Sequence, residues 1–125
     1  MDTGSQPFRF PVELADALAR IRFEAGRRHG FIVERRTTRR ALRAAQLDEA
    51  LLWQVIESLS EADYCEGPMQ DHHCLDRQLW VFGPIVGGRK MYLKVGFRSH
   101  GTEREMALVI WSFHPPRYPM RRHSP

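Results

Sequence analysis

The spacing of the apolar residues changes about halfway along this chain, from a helical period to a strand period. In the first half, Leu14, Leu18, Ile21 and Ala25 recur at steps that place their side chains on one helical face. In the second half, apolar and polar residues alternate over residues 90–98, as in a strand with one buried face. Helices followed by strands predict an α+β fold, with N-terminal helices packed on one side of a small antiparallel β-sheet.

Two further helices are predicted from residues that can cap a helix. Thr37 or Thr38 can begin a helix that runs to about Ala45, and Asp48 can begin another. Residues 60–63 indicate a turn or one short helical turn. The apolar stripe of the third helix consists of Leu51, Leu52, Val55, Ile56 and Leu59.

Three segments of the second half predict strands. Residues 78–82 form an aromatic run that ends at a Gly-Pro pair, and residues 103–114 form a long strand that ends at two prolines. Between them, Gly87 and Gly88 predict a hairpin turn before the alternating strand of residues 90–98. The inward face of that strand is predicted to carry Met91, Leu93, Val95 and Phe97.

Length and composition predict a single domain over residues 1–114, with residues 1–10 as a loose arm and residues 115–125 as a basic, flexible tail. The chain has 125 residues, of which 42% are hydrophobic and 27% charged, which excludes a low-complexity chain. No apolar run approaches the roughly 20 residues of a membrane helix. The first residues lack the pattern of a secretory signal. We therefore expect a cytoplasmic protein that does not bind membranes.

Charge is distributed unevenly along the chain. Residues 20–43 hold nine arginines and two glutamates, a formal charge of +7, whereas residues 48–76 hold eight acidic residues and no lysine or arginine. The basic segment predicts either a surface for RNA, DNA or an acidic protein, or a solvated helix face whose charges attract the acidic segment of the same domain. The candidate RNA-binding or partner-binding residues are Arg35, Arg36, Arg39, Arg40, Arg89 and Lys90.

Polar side chains on the last two predicted strands form a candidate catalytic site. Tyr92, Lys94 and Arg98 share one face of the alternating strand, and Ser112 and His114 share a face of the next. If the two strands pair as a hairpin about residues 99–102, His114 lies near Tyr92. Cations stabilise charge on a phosphate, and imidazole transfers protons near neutral pH, so this set suits phosphodiester chemistry. The alternative is a solvated sheet face.

Residues 65–76 carry side chains of the kinds that ligate zinc: Cys65, Asp71, His72, His73, Cys74 and Asp76. Their spacing is not that of a zinc knuckle, and adjacent histidines do not point the same way in regular structure. The segment therefore predicts either a polar loop or a structural zinc site. Two cysteines do not form a disulfide framework.

Four segments, in their order and spacing, resemble MqsR-type toxins, the RelE-like ribonuclease halves of bacterial toxin–antitoxin pairs. They are residues 37–42 (TTRRAL), 59–64 (LSEADY), 91–95 (MYLKV) and 109–113 (VIWSF), and the resemblance covers roughly residues 35–114. It implies a compact RelE-like fold, cleavage of mRNA either on or off the ribosome, no cofactor, and a tightly bound cognate antitoxin. We expect the protein to be a monomer when it is not bound to a partner.

The resemblance also implies roles for individual residues. In RelE-like ribonucleases the ribose 2′-hydroxyl attacks the neighbouring phosphate. Tyr92 falls on the functional tyrosine of the family, His114 on a position where a member carries a functional lysine, and Gln78 near a functional glutamine. A further functional lysine would fall near Glu66, where this chain carries the opposite charge.

Our hypothesis from the residues and the resemblance together is a metal-independent, sequence-selective mRNA endoribonuclease. His114 acts as general acid or base, Tyr92 orients it or shares that role, and Lys94 and Arg98 bind the phosphate. An unperturbed imidazole has a pKa of about 6.5, which suits proton transfer near neutral pH. The alternatives are a non-catalytic RNA- or DNA-binding module, an inactive relative of the toxins, and a small metal-stabilised protein.

Overall fold

In the structure, a computed structural model that describes residues 10–28, 30–32, 36–44, 46–71, 74–99 and 106–116, the three helices precede the antiparallel strands as predicted, and one short strand lies between the first two helices. The elements are α1 (Leu14–Gly26), β1 (Gly30–Ile32), α2 (Arg36–Ala44), α3 (Glu49–Glu57), a 3-10 turn (Glu61–Asp63), β2 (Tyr64–Asp71), β3 (Cys74–Phe82), β4 (Ile85–Val86), β5 (Arg89–Lys90), β6 (Tyr92–Ser99) and β7 (Met106–His114). The α+β prediction is confirmed. Of the helices described, none has the length and apolar character to cross a membrane.

The start of α3 is as predicted, and the start of α2 is not. The Asp48 side chain accepts a hydrogen bond from the backbone N–H of Leu51 at 2.9 Å, which caps α3. The helix α2 begins at Arg36, so Thr38 lies inside it rather than at its N-terminus. The buried Thr38 hydroxyl instead accepts a hydrogen bond from the backbone N–H of Phe113 at 3.4 Å, which ties α2 to the end of β7.

The main sheet has five strands in the order β1-β7-β6-β3-β2, and all neighbours are antiparallel except β1 and β7. The predicted hairpin of the last two strands is confirmed, because Tyr92 lies opposite His114 and Ser99 opposite Met106. The parallel strand β1 is an addition to the predicted antiparallel meander. It approaches β7 closely at Gly30, where a Cβ atom would lie 2.5 Å from the carbonyl oxygen of Leu108.

The polar-loop prediction for residues 65–76 is wrong over most of its length. Tyr64–Asp71 forms β2 and Cys74–Phe82 forms β3, which also begins four residues earlier than predicted. The pairing shifts register between Tyr64 and Glu66 and again between Glu66 and Met69. These irregularities break the two-residue alternation, so the sequence shows no strand period here.

The second sheet is a tight hairpin of β4 and β5. Gly87 and Gly88 connect the two strands and have φ values of 59° and 81°. A two-residue turn with positive φ at both positions is the geometry that favours glycine, so the predicted hairpin is confirmed.

The helices cover one face of the main sheet, and the opposite face is called the outer face below. The core lies between α1, α3 and the inward side chains of β3, β6 and β7, which include Trp80, Phe82, Leu93, Val95, Phe97, Leu108, Ile110 and Phe113. A smaller apolar cluster on the outer face consists of Leu79, Ala107, Val109 and Trp111. Phe10 packs against the core, so the predicted loose arm does not extend to that residue. Residues 1–9 of the arm and 117–125 of the tail lie outside the described residues.

Replacing Gly96 with alanine is expected to destabilise the fold. Gly96 lies in the centre of β6, where an added Cβ atom would clash with the carbonyl oxygen of Gln78 on β3. The strands must separate locally to relieve this contact, and overpacking of this kind costs about 1–3 kcal/mol. Urea unfolding measures the loss. The matched variant Gly88→Asn, in an open turn, is expected to change stability much less, and equal losses in the two variants would contradict the account.

Candidate functional site

The outer face brings together three of the predicted catalytic residues. Tyr92 on β6 lies directly opposite His114 on β7, and the next outward pair along these strands is Lys94 and Ser112. Opposite residues of an antiparallel pair point to the same side of the sheet. Because the helices cover the other side, the imidazole, the phenol and the ammonium group share a face that none of the described helices covers.

The rings of Tyr92 and His114 stack against each other. Their centroids are 4.9 Å apart and the ring planes differ by 14°. His114 Nδ1 lies 2.7 Å from the carbonyl oxygen of Pro115, which can only accept a hydrogen bond. Nδ1 therefore carries the proton in this contact, and Nε2 is the ring nitrogen that remains for proton transfer to a substrate.

Tyr92 is held in its protonated form. Burial raises the pKa of the Tyr92 phenol above its ordinary value of about 10, and the negative charges of Glu66 and then Cys65 raise it further. The phenol therefore keeps its proton at neutral pH and can donate a hydrogen bond.

Tyr92 is expected to make the folded protein less stable at alkaline pH. A tyrosine in the unfolded chain loses its proton near pH 10, and Tyr92 in the folded protein loses its proton at a higher pH, because folding raises the Tyr92 pKa. As pH rises through this window the unfolded state binds fewer protons than the folded state, so the free energy of unfolding falls. Urea unfolding at about pH 8 and pH 10.5 should show a smaller loss for Tyr92→Phe than for the wild type. Equal losses would contradict the assignment.

Lys94 and Arg98 lie at different distances from the stacked pair. Lys94 is half-buried and occupies the next outward position after Tyr92. Arg98 shares the outer face and is exposed, but it lies six positions along the strand from Tyr92, or about 20 Å at the usual rise per residue. The structure therefore brings Lys94 beside the pair and places Arg98 at the other end of the face, next to Arg77 and Ala107.

Gln78 is not part of this group, contrary to the prediction. It lies opposite Phe97, on the helix-covered side of the sheet, and is 7% exposed. Its Oε1 accepts a hydrogen bond from Trp80 Nε1 at 2.9 Å, and its Nε2 donates to the carbonyl oxygen of Pro11. A buried amide with these partners satisfies polar groups in the core and joins β3 to the segment before α1.

The predicted binding cations lie on two elements near the stacked pair. Arg39 and Arg40 are exposed on α2, and Arg89 and Lys90 are exposed on β5. Ala41 and Ala44 of α2 and Arg89 of β5 line a cavity of about 250 Å³. Met91 and Pro115, which are adjacent in the chain to Tyr92 and His114, line the same cavity. Arg35 and the side chain of Arg36 lie outside what the structure describes.

Part of the basic segment is paired inside the domain. The buried Glu24 carboxylate lies 3.6 Å from Arg20 and 3.9 Å from Arg27, and Arg28 lies 3.8 Å from Glu57 on α3. Internal pairing with the acidic segment is thus confirmed for Arg28. Among the ion pairs between described residues, none involves Arg39 or Arg40.

Cys65 is a buried residue of β2. Its thiol donates a hydrogen bond to the carbonyl oxygen of Asp63 at 3.8 Å, and burial raises its pKa although the charge of nearby Lys90 lowers it. Within the described residues, no three His, Cys, Asp or Glu side chains are placed to hold a metal ion. His72, His73 and the side chains of Asp71, Cys74 and Asp76 lie outside the description, so the zinc site stays a prediction.

Glu66 is a residue of this face that the sequence did not place there. It lies opposite Val81 on β3, which lies opposite Lys94 on β6. The sequence shows a negative charge at a position where the resemblance implies a lysine, but only the pairing of β2 assigns it to the outer face.

Comparison of the chain with protein-family models, with curated proteins and with solved structures finds no match. The resemblance to MqsR-type toxins therefore rests on the four sequence segments, and the chemistry of the site rests on the outer face.

Proposed function

We propose that this protein is a metal-independent endoribonuclease of the RelE-like type, the toxin of a toxin–antitoxin pair, that cleaves mRNA in the cytoplasm. The observation that carries the proposal is the stacked Tyr92–His114 pair beside Lys94 on a sheet face that the helices leave uncovered. The four segments that resemble MqsR-type toxins support it, and the cognate antitoxin is the expected protein partner.

The proposed reaction begins with attack of the ribose 2′-hydroxyl on the adjacent phosphate. The 2′-oxygen forms a bond to phosphorus, the bond from phosphorus to the 5′-oxygen breaks, and the products end in a 2′,3′-cyclic phosphate and a 5′-hydroxyl. One group must accept the 2′-hydroxyl proton and another must protonate the leaving oxygen. His114 performs one of these transfers through Nε2, because Nδ1 is occupied by its contact with the carbonyl oxygen of Pro115.

Tyr92 and Lys94 stabilise the charge that develops on the phosphate. The Tyr92 phenol keeps its proton and acts as a hydrogen-bond donor, and the Lys94 ammonium group supplies a positive charge next to it. Donors that are already oriented toward a developing negative charge lower the barrier without reorganisation. Arg98 lies too far along the face for this role and is assigned to a more distant phosphate of the RNA.

The experiment that tests the proposed function uses two oligonucleotides of one sequence. The first is RNA, and the second carries 2′-O-methyl groups throughout, which removes the nucleophile. The protein, in buffer containing a chelator, should cleave the first into products with cyclic phosphate ends and leave the second intact. Cleavage of both, or of neither by folded protein, would contradict the proposal.

Binding of the uncleavable oligonucleotide is expected to weaken steeply as salt rises. For single strands the slope of log K against log salt is about −0.7 for each phosphate neutralised. The double variant Arg39→Gln/Arg40→Gln removes two exposed cations of α2 and should reduce the slope by up to about 1.4. Fluorescence anisotropy over a salt series measures it. The control Arg27→Gln changes a cation that is paired with Glu24, and an equal effect there would argue against an α2 surface.

A non-catalytic RNA- or DNA-binding module is the second candidate function. It is favoured by the exposed cations of α2 and β5, which suffice for phosphate binding without any chemistry. Stoichiometric binding of RNA with no new ends would favour this candidate, or an inactive relative of the toxins, over the ribonuclease.

A further inference from the structure

Glu66 lies at one end of a row of residues that crosses four strands of the outer face. Glu66 on β2 is opposite Val81 on β3, Val81 is opposite Lys94 on β6, and Lys94 is opposite Ser112 on β7. The neighbouring row contains Tyr92 and His114. The face therefore carries an exposed carboxylate on one side, an ammonium group in the middle and an imidazole on the other side.

The spacing between strands sets the distance between these groups. Neighbouring strands lie about 4.8 Å apart, so the backbone of Glu66 is about 10 Å from that of Lys94 and about 14 Å from β7. Glutamate, tyrosine and histidine side chains each extend several ångströms from the backbone. A phosphodiester bound over Lys94 therefore lies between the carboxylate and the imidazole.

The electrostatics of Tyr92 support this proximity. The negative charge of Glu66 is the largest cause, after burial, of the raised pKa of the Tyr92 phenol, and it also raises the pKa of Cys65. Glu66 therefore lies close enough to Tyr92 and to Cys65 to act on both electrostatically.

The chemistry requires one group that accepts a proton and one that donates a proton. Tyr92 keeps its proton at neutral pH and is unsuited to be the base, and the ammonium group of Lys94 is likewise a donor. Among the outer-face side chains that the structure describes, Glu66 provides the carboxylate and His114 the imidazole. A carboxylate accepts a proton, and an imidazolium donates one.

We propose that Glu66 is the general base and His114 the general acid of the cleavage reaction; this inference rests on the proposed function. The 2′-hydroxyl proton passes to the Glu66 carboxylate as the 2′-oxygen bonds to phosphorus. The proton on His114 Nε2 passes to the 5′-oxygen as its bond to phosphorus breaks. Glu66 is left protonated and His114 neutral, and exchange of protons with water restores both. The negative charge of Glu66 then takes part directly in catalysis.

The test uses an RNA whose scissile 5′-oxygen is replaced by sulfur, beside the normal RNA of the same sequence. A thiolate leaves without protonation, so the sulfur substrate needs a base but no general acid. Glu66→Gln is expected to cleave both substrates about 10²-fold or more slowly than the wild type, because loss of proton-transfer catalysis costs about 10²–10⁴-fold. His114→Ala is expected to be slow on the oxygen substrate and close to the wild type on the sulfur substrate.

Two controls keep the test informative. Glu61→Gln removes an exposed carboxylate of the 3-10 turn and should cleave both substrates at the wild-type rate. Because Glu66 is exposed, Glu66→Gln should unfold at the wild-type temperature, and circular dichroism checks this. If Glu66→Gln cleaves both substrates at the wild-type rate, or cleaves the sulfur substrate at the wild-type rate, Glu66 is not the general base. Either result would leave the proposed function standing. A folded wild type that cleaves neither substrate would overturn the proposed function and the assignment with it.

Discussion

His114→Ala is expected to slow RNA cleavage about 10²–10⁴-fold, the usual contribution of a positioned acid or base. The variant removes the Nε2 atom that exchanges the proton and the ring that stacks on Tyr92 at 4.9 Å. The side chain is only half-buried, and its hydrogen bond is to Pro115, the next residue in the chain. Its removal therefore should leave the fold intact. Rates on a defined RNA under single-turnover conditions measure the effect.

The control for His114 is Gln54→Ala, which changes an exposed side chain on α3 and should cleave RNA at the wild-type rate. Thermal unfolding of both variants shows whether they are folded during the assay. Cleavage by folded His114→Ala at the wild-type rate would remove His114 from the mechanism.

Trp80→Ala is expected to lower the free energy of unfolding by about 3–5 kcal/mol, the range observed when a large aromatic residue is removed from a core. Trp80 is fully buried, and its ring packs edge-on against Tyr64 with the centroids 6.3 Å apart. The substitution also removes the N–H that donates to Gln78 Oε1. Since domains of this size are stable by only about 5–15 kcal/mol, much of the native stability would be lost.

A second substitution separates the two contributions of Trp80. Trp80→Phe keeps most of the packing but leaves Gln78 Oε1 without its donor, a loss of about 1–3 kcal/mol. Val12→Ala, at a position that is 71% exposed, should change stability by less than about 0.5 kcal/mol. Urea unfolding gives all three values. A loss in Trp80→Ala no larger than that in Val12→Ala would contradict the described core.

The candidate site was predictable where pairing is local. The alternation of residues 90–98 is sufficient to predict that the last two strands pair and that His114 lies near Tyr92, but their exact pairing also depends on a register shift between Lys94 and Val95. The side-chain period shows which residues of β6 share a face, whereas the register shift is not visible in that period.

Gln78 was predicted to belong to the catalytic group and does not, and Glu66 was not assigned to a face of the sheet. The physical reasons differ. Gln78 is a polar residue at an inward position, and it is stable there because Trp80 and Pro11 satisfy its amide. Such partners are invisible in a polarity pattern. Glu66 lies in a strand whose period is broken by register shifts on both sides of it, so its face depends on pairing with β3 rather than on its own neighbours in the chain.

The parallel strand β1 also depends on a contact between distant segments. Gly30 lies opposite Leu108, 78 positions later in the chain, and three residues are too few to show a strand period. The absence of a side chain at Gly30 permits the close approach to the Leu108 carbonyl. Neither the partner nor its direction follows from the short apolar stretch alone.

The most direct test of the central claim is to map the 5′ ends of a defined mRNA after incubation with the purified, folded protein in the presence of a chelator. New 5′-hydroxyl ends are expected with the wild type, and His114→Ala is expected to lose nearly all of them. Parallel reactions with and without ribosomes show whether cleavage depends on translation. If the folded wild-type protein produces no new ends in either reaction, the outer face is not a ribonuclease site.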